Sequence, residues 1–432
     1  MNDNRLRGNR EMVWMMENSN GNNGEGKVLN FIEARRKLME EHGTTSRGAR
    51  SPLLEPIRKA LKAPANAPLF DSFIHAPDSN YDLIRNLVED HDIQAPAKEI
   101  FQALAHLGIE KLLNEAREQY RPDFWRQSVD TARAATRLAI AVSDWSSAEK
   151  IWLKLEERAI ENGSPDPKLQ QQVLFELGAL LTRRGEHDSA TEYYLLCETL
   201  ARADNDLSRL AAIRIQLGGA FLELKQSDEA LRCFQMADDY LREGAPDKTL
   251  AADIALGAAI ARAQMGDLDQ ALCGLERSLE ISANGGNPAT RAAAFFHRSR
   301  VLSGLGRNSD AFDSLASAIA VAREDDNLDS RITLLYELFD VCVECGRWGD
   351  FFLELLSCMD RVHSAEQFRL LGSLLVLSAK ANSERGLLHL ALRNLEEAAY
   401  LYNAYEDADR FEEVNHAIER LRAEIAKQKR TS

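Results

Sequence analysis

Seven positions, Ala148, Ala190, Ala230, Ala271, Ala311, Phe351 and Ala391, stand at successive spacings of 42, 40, 41, 40, 40 and 40 residues, and six of the seven are alanine. So regular a period over most of a chain means one helical unit copied and stacked, each copy too small to bury its apolar face alone. Five residues before each position lies a turn residue: Gly185, Gly266, Gly306, Gly346 and Gly386 in five copies, Ser143 and Lys225 in the other two. Glycine accepts the positive φ that ends a helix, so a helix stops there.

Two further small slots flank the comb. Twelve residues before it come Thr136, Gly178, Gly218, Ala259, Ser299, Phe339 and Ala379; seven residues after it come Leu155, Cys197, Ala237, Ser278, Ala318, Cys358 and Ala398. Four residues past the comb a large apolar residue recurs, as Trp152, Tyr194, Phe234, Leu275, Leu315, Leu355 and Leu395. Small slots let two backbones approach while the large residue fills the space beside them, which describes an antiparallel helix pair. The third copy displays the helical period: Leu210, Ile213, Leu217, Phe221 and Leu224 before the turn, Ala230, Phe234, Ala237 and Leu241 after it. Links between copies are short and rich in breakers, as in Asn162-Gly-Ser-Pro-Asp-Pro167, Gly244-Ala-Pro-Asp247, Asn284-Gly-Gly-Asn-Pro288 and Asp325-Asp-Asn327.

The pattern of Leu177-Gly178, Leu181, Gly185, Ala190, Tyr194 and Cys197, repeated in Leu217-Gly218, Phe221, Ala230, Phe234 and Ala237, resembles the tetratricopeptide repeat (TPR) over residues 127–402. The period is about 40 residues where the commonest form has about 34, and no proline closes the second helix. A longer period implies longer helices, as in the extended variants of signalling and transcription-control proteins. The resemblance implies an all-α fold: a right-handed α/α superhelical solenoid of about seven TPR-like helix pairs with N- and C-terminal capping helices. It divides the chain into 1–79, largely disordered with short amphipathic helices; 80–126, N-terminal capping helices; 127–402, the repeats; and 403–432, a C-terminal capping helix and tail.

Residues 1–26 hold seven asparagines and end in Asn18-Ser-Asn-Gly-Asn-Asn-Gly-Glu-Gly26, a composition with too little apolar surface to order itself. Asn30 and Glu33 then read as a helix cap, with Phe31, Leu38 and Met39 on one face and Gly43 at the end. This segment over 27–42 suits either a docking peptide, for a partner or for the chain's own groove, or a helix packed on the first repeat. A second short helix is expected within 51–61, before a linker at Ala63-Pro-Ala-Asn-Ala-Pro68. Three short helices follow, marked by Leu83 to Val88, by Ile100, Phe101, Leu104 and Leu107, and by Leu112 and Leu113, with Pro96 at a first-turn position. Between Asp92 and Leu112 the only basic residues are Lys98 and Lys111, too few for the phosphate contacts of a helix-turn-helix, so these helices read as a cap. At the other end Phe411, Val414, Ile418, Leu421 and Ile425 form one apolar stripe on a charged helix.

An apolar fraction of 45% and a charged fraction of 28% suit a soluble chain that grows by adding repeats. No run of apolar residues is long enough to span a bilayer, and Met12-Val-Trp-Met-Met16 is too short for a secretory core, so no membrane insertion and a cytoplasmic setting are expected. Residues 1–126 carry net −1, so −14 of the total −15 sits on the repeats and the last helix. That balance disfavours nucleic acid and favours a basic or neutral protein segment as partner.

Cys342, Cys345, Cys358 and His363 have the donor types of a zinc site, but the repeat already assigns Cys342 and Cys358 to the core, and structural thiols are the expectation. In the sixth copy Phe339 and Phe351 occupy two slots that are small elsewhere and face each other in the family, so the helix pair should splay or shift there.

In the family the first helix of each pair lines the concave surface. The corresponding positions are Arg133, Arg137, Phe175, Glu176 and Arg183 early; Phe296, His297 and Arg300 in the middle; Tyr336, Glu337, Asp340, Glu344, Lys380 and Glu384 late. Such a groove runs from basic through aromatic to acidic and suits an extended or helical protein segment of complementary polarity. Phe175 and Ala179 stand where a lysine and asparagine carboxylate clamp would need polar groups, so no chaperone clamp is inferred. No phosphate-binding loop, nucleophile elbow or H-E-x-x-H motif occurs, no strand-rich block could host one, and the histidines are dispersed. The expected protein is a non-enzymatic adaptor or scaffold without cofactor or metal; the alternative is a ligand- or peptide-responsive regulator that changes curvature to control a partner.

Overall fold

The computed structural model describes residues 52–75, a few positions between 83 and 95, and 97–119, 125–141, 143–161, 167–283, 286–324, 328–364, 368–404 and 408–431. The disorder expected over 1–26 and the amphipathic helix expected over 27–42 lie outside these residues. Two compact units divide the chain, 1–224 and 225–432. All regular structure among the described residues is helical.

The first unit contains α1 (Leu54–Ala60), α2 (Asn66–His75), α3 (Ala97–Gln119), α4 (Trp125–Ala141), α5 (Trp145–Glu161), α6 (Pro167–Arg183), α7 (His187–Ala203) and α8 (Leu207–Glu223). The second contains α9 (Ser227–Glu243), α10 (Lys248–Gln264), α11 (Leu268–Ala283), α12 (Pro288–Gly304), α13 (Asn308–Glu324), α14 (Leu328–Cys345), α15 (Trp348–Ser364), α16 (Phe368–Glu384), α17 (Leu388–Ala404) and α18 (Ala408–Thr431). Within each unit every long helix packs on the next, and first helices of successive copies also touch, as α6 does α8, α10 does α12 and α14 does α16. Each unit is therefore an all-α solenoid of TPR-like helix pairs.

The period follows from helix length. Most repeat helices have 17 residues, about 25 Å at 1.5 Å per residue, and turns as short as 184–186 and 204–206 join them. All seven turn residues singled out in the sequence adopt positive φ, from 58° at Ser143 and 61° at Lys225 to 87° at Gly266. Side chains cap several helix starts: Asp144, Asp206, Asp247, Asp267 and Asn287 each accept a backbone N–H from the first turn that follows.

Every position of the comb is fully buried, at 0% exposure, and so is every residue of the small slot seven positions later. Close approach explains the small residues. A Cβ on Gly178 would lie 2.7 Å from the Tyr194 ring, and one on Gly274 2.9 Å from the Ala259 Cβ. The large residues fill the gaps between helices, and Trp152, Tyr194, Leu275 and Leu355 are all 0% exposed.

Copy six departs from this rule as the bulky pair requires. The Phe339 and Phe351 rings lie 6.0 Å apart, within a cluster that includes Trp348 and Phe352. With rings where backbones elsewhere touch, α15 stays back from α14 and α16, its backbone approaching them over far less of its length than α12 approaches α13 or α16 approaches α17. Cys342 and Cys358 are buried in the same core and His363 is exposed, its ring against Phe368. Burial pushes the Cys342 thiol up to about 11, which keeps it protonated and unreactive near neutrality.

The N-terminal elements differ from expectation in two places. The stretch 63–68 is not all linker: Asn66 opens α2, its buried side chain donating to the Ala60 carbonyl at 3.1 Å and meeting the His91 ring at 2.9 Å, and Pro68 falls in the permissive first turn. The helices marked by Ile100 and Leu112 form one, α3, of 23 residues. Gly108 lies within it without ending it, and packing accounts for the glycine: a Cβ there would press to 3.2 Å on both Ile74 of α2 and Leu138 of α4. At the C-terminus Val414, Ile418 and Leu421 of α18 are buried against α17, as the stripe predicts. No helix among the described residues is long and apolar enough to cross a membrane.

Candidate functional site

None of the fourteen positions mapped to the first helices is buried: seven are exposed and seven half-buried. They recur at four registers of the repeat, 15, 14, 11 and 7 residues before the comb, which place them on one stripe of each first helix.

In the first unit the stripe is a polar network. Arg133 of α4 donates to Glu176 of α6 at 2.7 Å and to Asp130 at 3.2 Å, while Gln172 also donates to Glu176 at 2.8 Å. Arg133 is therefore neutralised, while Arg137 and Arg183 are exposed. Phe175 meets Tyr194 edge-on at 5.8 Å, and the Arg209 guanidinium lies 4.4 Å from its ring centre while donating to Gln171 and Gln172. Burial pushes the Tyr194 hydroxyl up to about 12, so it stays protonated.

In the second unit the stripe has two centres. Phe296 and His297 stand 5.1 Å apart on α12, and Arg300 lies 5.8 Å from the Phe296 ring centre. Beside them a cavity of about 290 Å³ opens between α10, α11 and α12, with Lys225, Gln264, His297 and Arg300 as its polar lining. Further along, Tyr336 of α14 donates to the Ser373 carbonyl of α16 at 3.1 Å, and the Lys380 ammonium lies 5.7 Å from its ring centre. Burial raises the Tyr336 hydroxyl above its ordinary value. Glu337 is half-buried, and Asp340, Glu344 and Glu384 are exposed.

Sequence reasoning missed the contacts that tie successive first helices together. Besides Arg133 to Glu176, these are Arg209 to Gln172, Thr290 to Asp253 at 2.6 Å, Tyr336 to Ser373, and Arg410 of α18 to Ser373 at 2.9 Å. The partners lie 37 to 43 residues apart, about one repeat, which is the trace they leave in the sequence. Burial raises the Asp253 carboxyl, opposed by the hydroxyl of Thr290.

The His297 imidazole is held down at about 4, first by burial and then by Arg300. The unfolded chain takes up this proton near pH 6.5 and the folded chain only near 4, so the neutral ring's contribution to stability is complete above pH 6.5 and lost as pH falls toward 4. Urea titrations at pH 7 and pH 4.5 should show a smaller acid-induced loss for His297→Gln than for the natural chain; equal losses would count against a buried neutral histidine.

No protein-family model matches the chain, and no curated protein sequence matches it significantly. Solved structures similar to it include BtubC from P. vanneervenii, at 21% identity over 51% of this chain and 91% of that one, TM-score 0.44. A Rap protein complexed with competence and sporulation factor shares 13% identity over 84% of this chain and 99% of its own, TM-score 0.45. The apo quorum sensor NprR from B. thuringiensis shares 16% over 81% and 99%, TM-score 0.45.

Proposed function

We propose that the protein is a non-catalytic adaptor or scaffold that binds a protein segment along the groove formed by its first helices. The observation that carries this reading is the contrast within each repeat. The comb of the second helices is wholly buried, whereas the stripe of the first helices keeps arginines and carboxylates at the surface and its aromatic rings only half-buried. Aromatic anchors with charges around them are the composition of binding hot spots. Ties between successive first helices hold the stripe in one arrangement before any segment arrives, which lowers the ordering cost of binding. In this reading 80–126 and 403–432 cap the stack, and the protein works in the cytoplasm without cofactor, nucleic acid or membrane insertion.

Arg137 and Arg183 supply exposed positive charge early, and Asp340, Glu344 and Glu384 exposed negative charge late. A segment lying along the stripe of either unit would match the charge found there. Reversing either set, Arg137→Glu with Arg183→Glu or Asp340→Lys with Glu344→Lys, should weaken a captured segment at least tenfold while leaving the thermal midpoint unchanged. Unchanged affinity in both variants would defeat the groove.

The loose seating of α15 favours a second reading, in which a ligand shifts copy six and alters curvature to control a partner. The two separate by small-angle scattering: an adaptor keeps its radius of gyration on binding, whereas a regulator opens or compacts.

A further inference from the structure

The cavity between α10, α11 and α12 has a chemistry unlike the rest of an acidic chain. Its lining holds two cations, Lys225 and Arg300, and no carboxylate. Neither cation has an ion-pair partner among the described residues; Arg300 only approaches the Phe296 ring. Both are exposed and stand at the mouth, while Leu275, Val301 and Ala259 are buried and form the floor. The cavity's volume is about 290 Å³. That is more than a small inorganic anion fills, and the apolar floor suits hydrocarbon.

Lys225 is informative for a second reason. It occupies the turn slot that five of seven copies give to glycine, and it holds φ at 61°. A side chain there bears backbone strain that glycine would not; Ser143 bears it too in the first copy, but Lys225 alone of the two lines this cavity, where its side chain has a use. The polar lining also meets the groove: Gln264 and Arg300 fall at registers 7 and 11 before the comb, and His297 at register 14. Because its imidazole is uncharged at neutral pH, His297 can donate an N–H to an anion without adding a third charge.

We propose that this cavity receives a carboxylate carried on a short aliphatic stem, the charge held by Lys225 and Arg300 and the stem laid on Ile260, Leu268 and Leu275. The chemistry is shared by a glutamate side chain of a segment in the groove and by a free short-chain acid. The groove reading above bears only on which of the two delivers it.

The test uses the full chain with labelled methyl groups and four probes: hexanoate, 1-hexanol, and blocked pentapeptides with a central glutamate or glutamine. Hexanoate should shift the Ile260, Leu275 and Val301 methyls, with hexanol binding at least tenfold more weakly. Lys225→Gly installs the residue five of the other six turns use, so it should keep or raise the thermal midpoint while weakening hexanoate at least tenfold and leaving hexanol unchanged. Arg300→Gln should weaken hexanoate similarly. Equal binding of hexanoate and hexanol, or hexanoate binding untouched by both substitutions, overturns the assignment. Competition with hexanoate by the glutamate peptide alone identifies a bound segment as the source. Hexanoate binding that depends on Lys225 but resists both peptides keeps the cavity and removes this support from the groove. A captured segment that binds through the charge-reversal positions yet ignores Lys225→Gly, with hexanoate also failing to bind, keeps the groove and sinks the cavity.

Discussion

Gly257→Ala should destabilise the protein by about 2 kcal/mol in urea unfolding, although alanine is the better helix former by about 1 kcal/mol. Gly257 lies within α10, and a Cβ added there would stand 2.2 Å from Cζ and 2.3 Å from Cε1 of Phe234 on α9. The ring is itself 2% exposed, so it has little room to yield and the two helices must separate. Helix propensity and overpacking thus predict opposite signs at one site, and the sign decides between them. Phe234→Leu, which places the residue other copies use, should cost about 1 kcal/mol alone yet recover part of the loss in the Gly257→Ala background. A stabilised Gly257→Ala chain, or strict additivity of the two changes, would contradict close packing of α9 on α10.

Glu198→Ala should cost about 3 kcal/mol. One carboxylate oxygen of Glu198, whose side chain is 3% exposed on α7, accepts from Arg214 of α8 at 2.7 Å and 2.6 Å and from Arg202 at 2.9 Å. The Arg214 side chain is itself only 14% exposed, so removing the carboxylate takes away the charge paired with a guanidinium that water reaches poorly. Replacing both, with Glu198→Leu and Arg214→Met, should restore most of the lost stability, because a buried ion pair contributes little beyond an apolar pair of similar volume. The exposed pair of Arg58 and Glu55 gives the contrast: its disruption should change the urea midpoint hardly at all. A loss below about 1 kcal/mol for Glu198→Ala would show that α7 and α8 do not depend on this contact.

The fold was legible because burial leaves a periodic mark. Ala148, Ala190, Ala230, Ala271, Ala311 and Ala391 are all fully buried, which is what small residues on a closely packed helix face require. Gly185, Ser143 and Lys225 share a positive φ despite their different side chains, because the position in the repeat, and not the residue, imposes the turn. Phe339 and Phe351 announced the looseness of copy six in the same way, by being too large for their slots.

What stayed hidden was pairing. Arg133 read as free positive charge, yet Glu176 of the next first helix neutralises it. Thr290, Ser373 and Arg209 look like ordinary surface residues until a partner one repeat away is brought to hydrogen-bonding distance. A single period locates faces but does not say which side chains on them meet. The continuity of α3 through Gly108 was hidden for a related reason: only the contacts with Ile74 and Leu138 tell a packing glycine from a helix stop.

The central claim, that the first helices are the working face, is tested most directly by hydrogen exchange on the full chain with and without its captured partner segment. Binding should slow exchange in the first helices, α6, α12, α14 and α16 above all, and spare the outward side of the second helices, where Leu353 and Leu356 of α15 are 69% and 54% exposed. Protection confined to α13, α15 and α17, with the first helices unchanged, would contradict it.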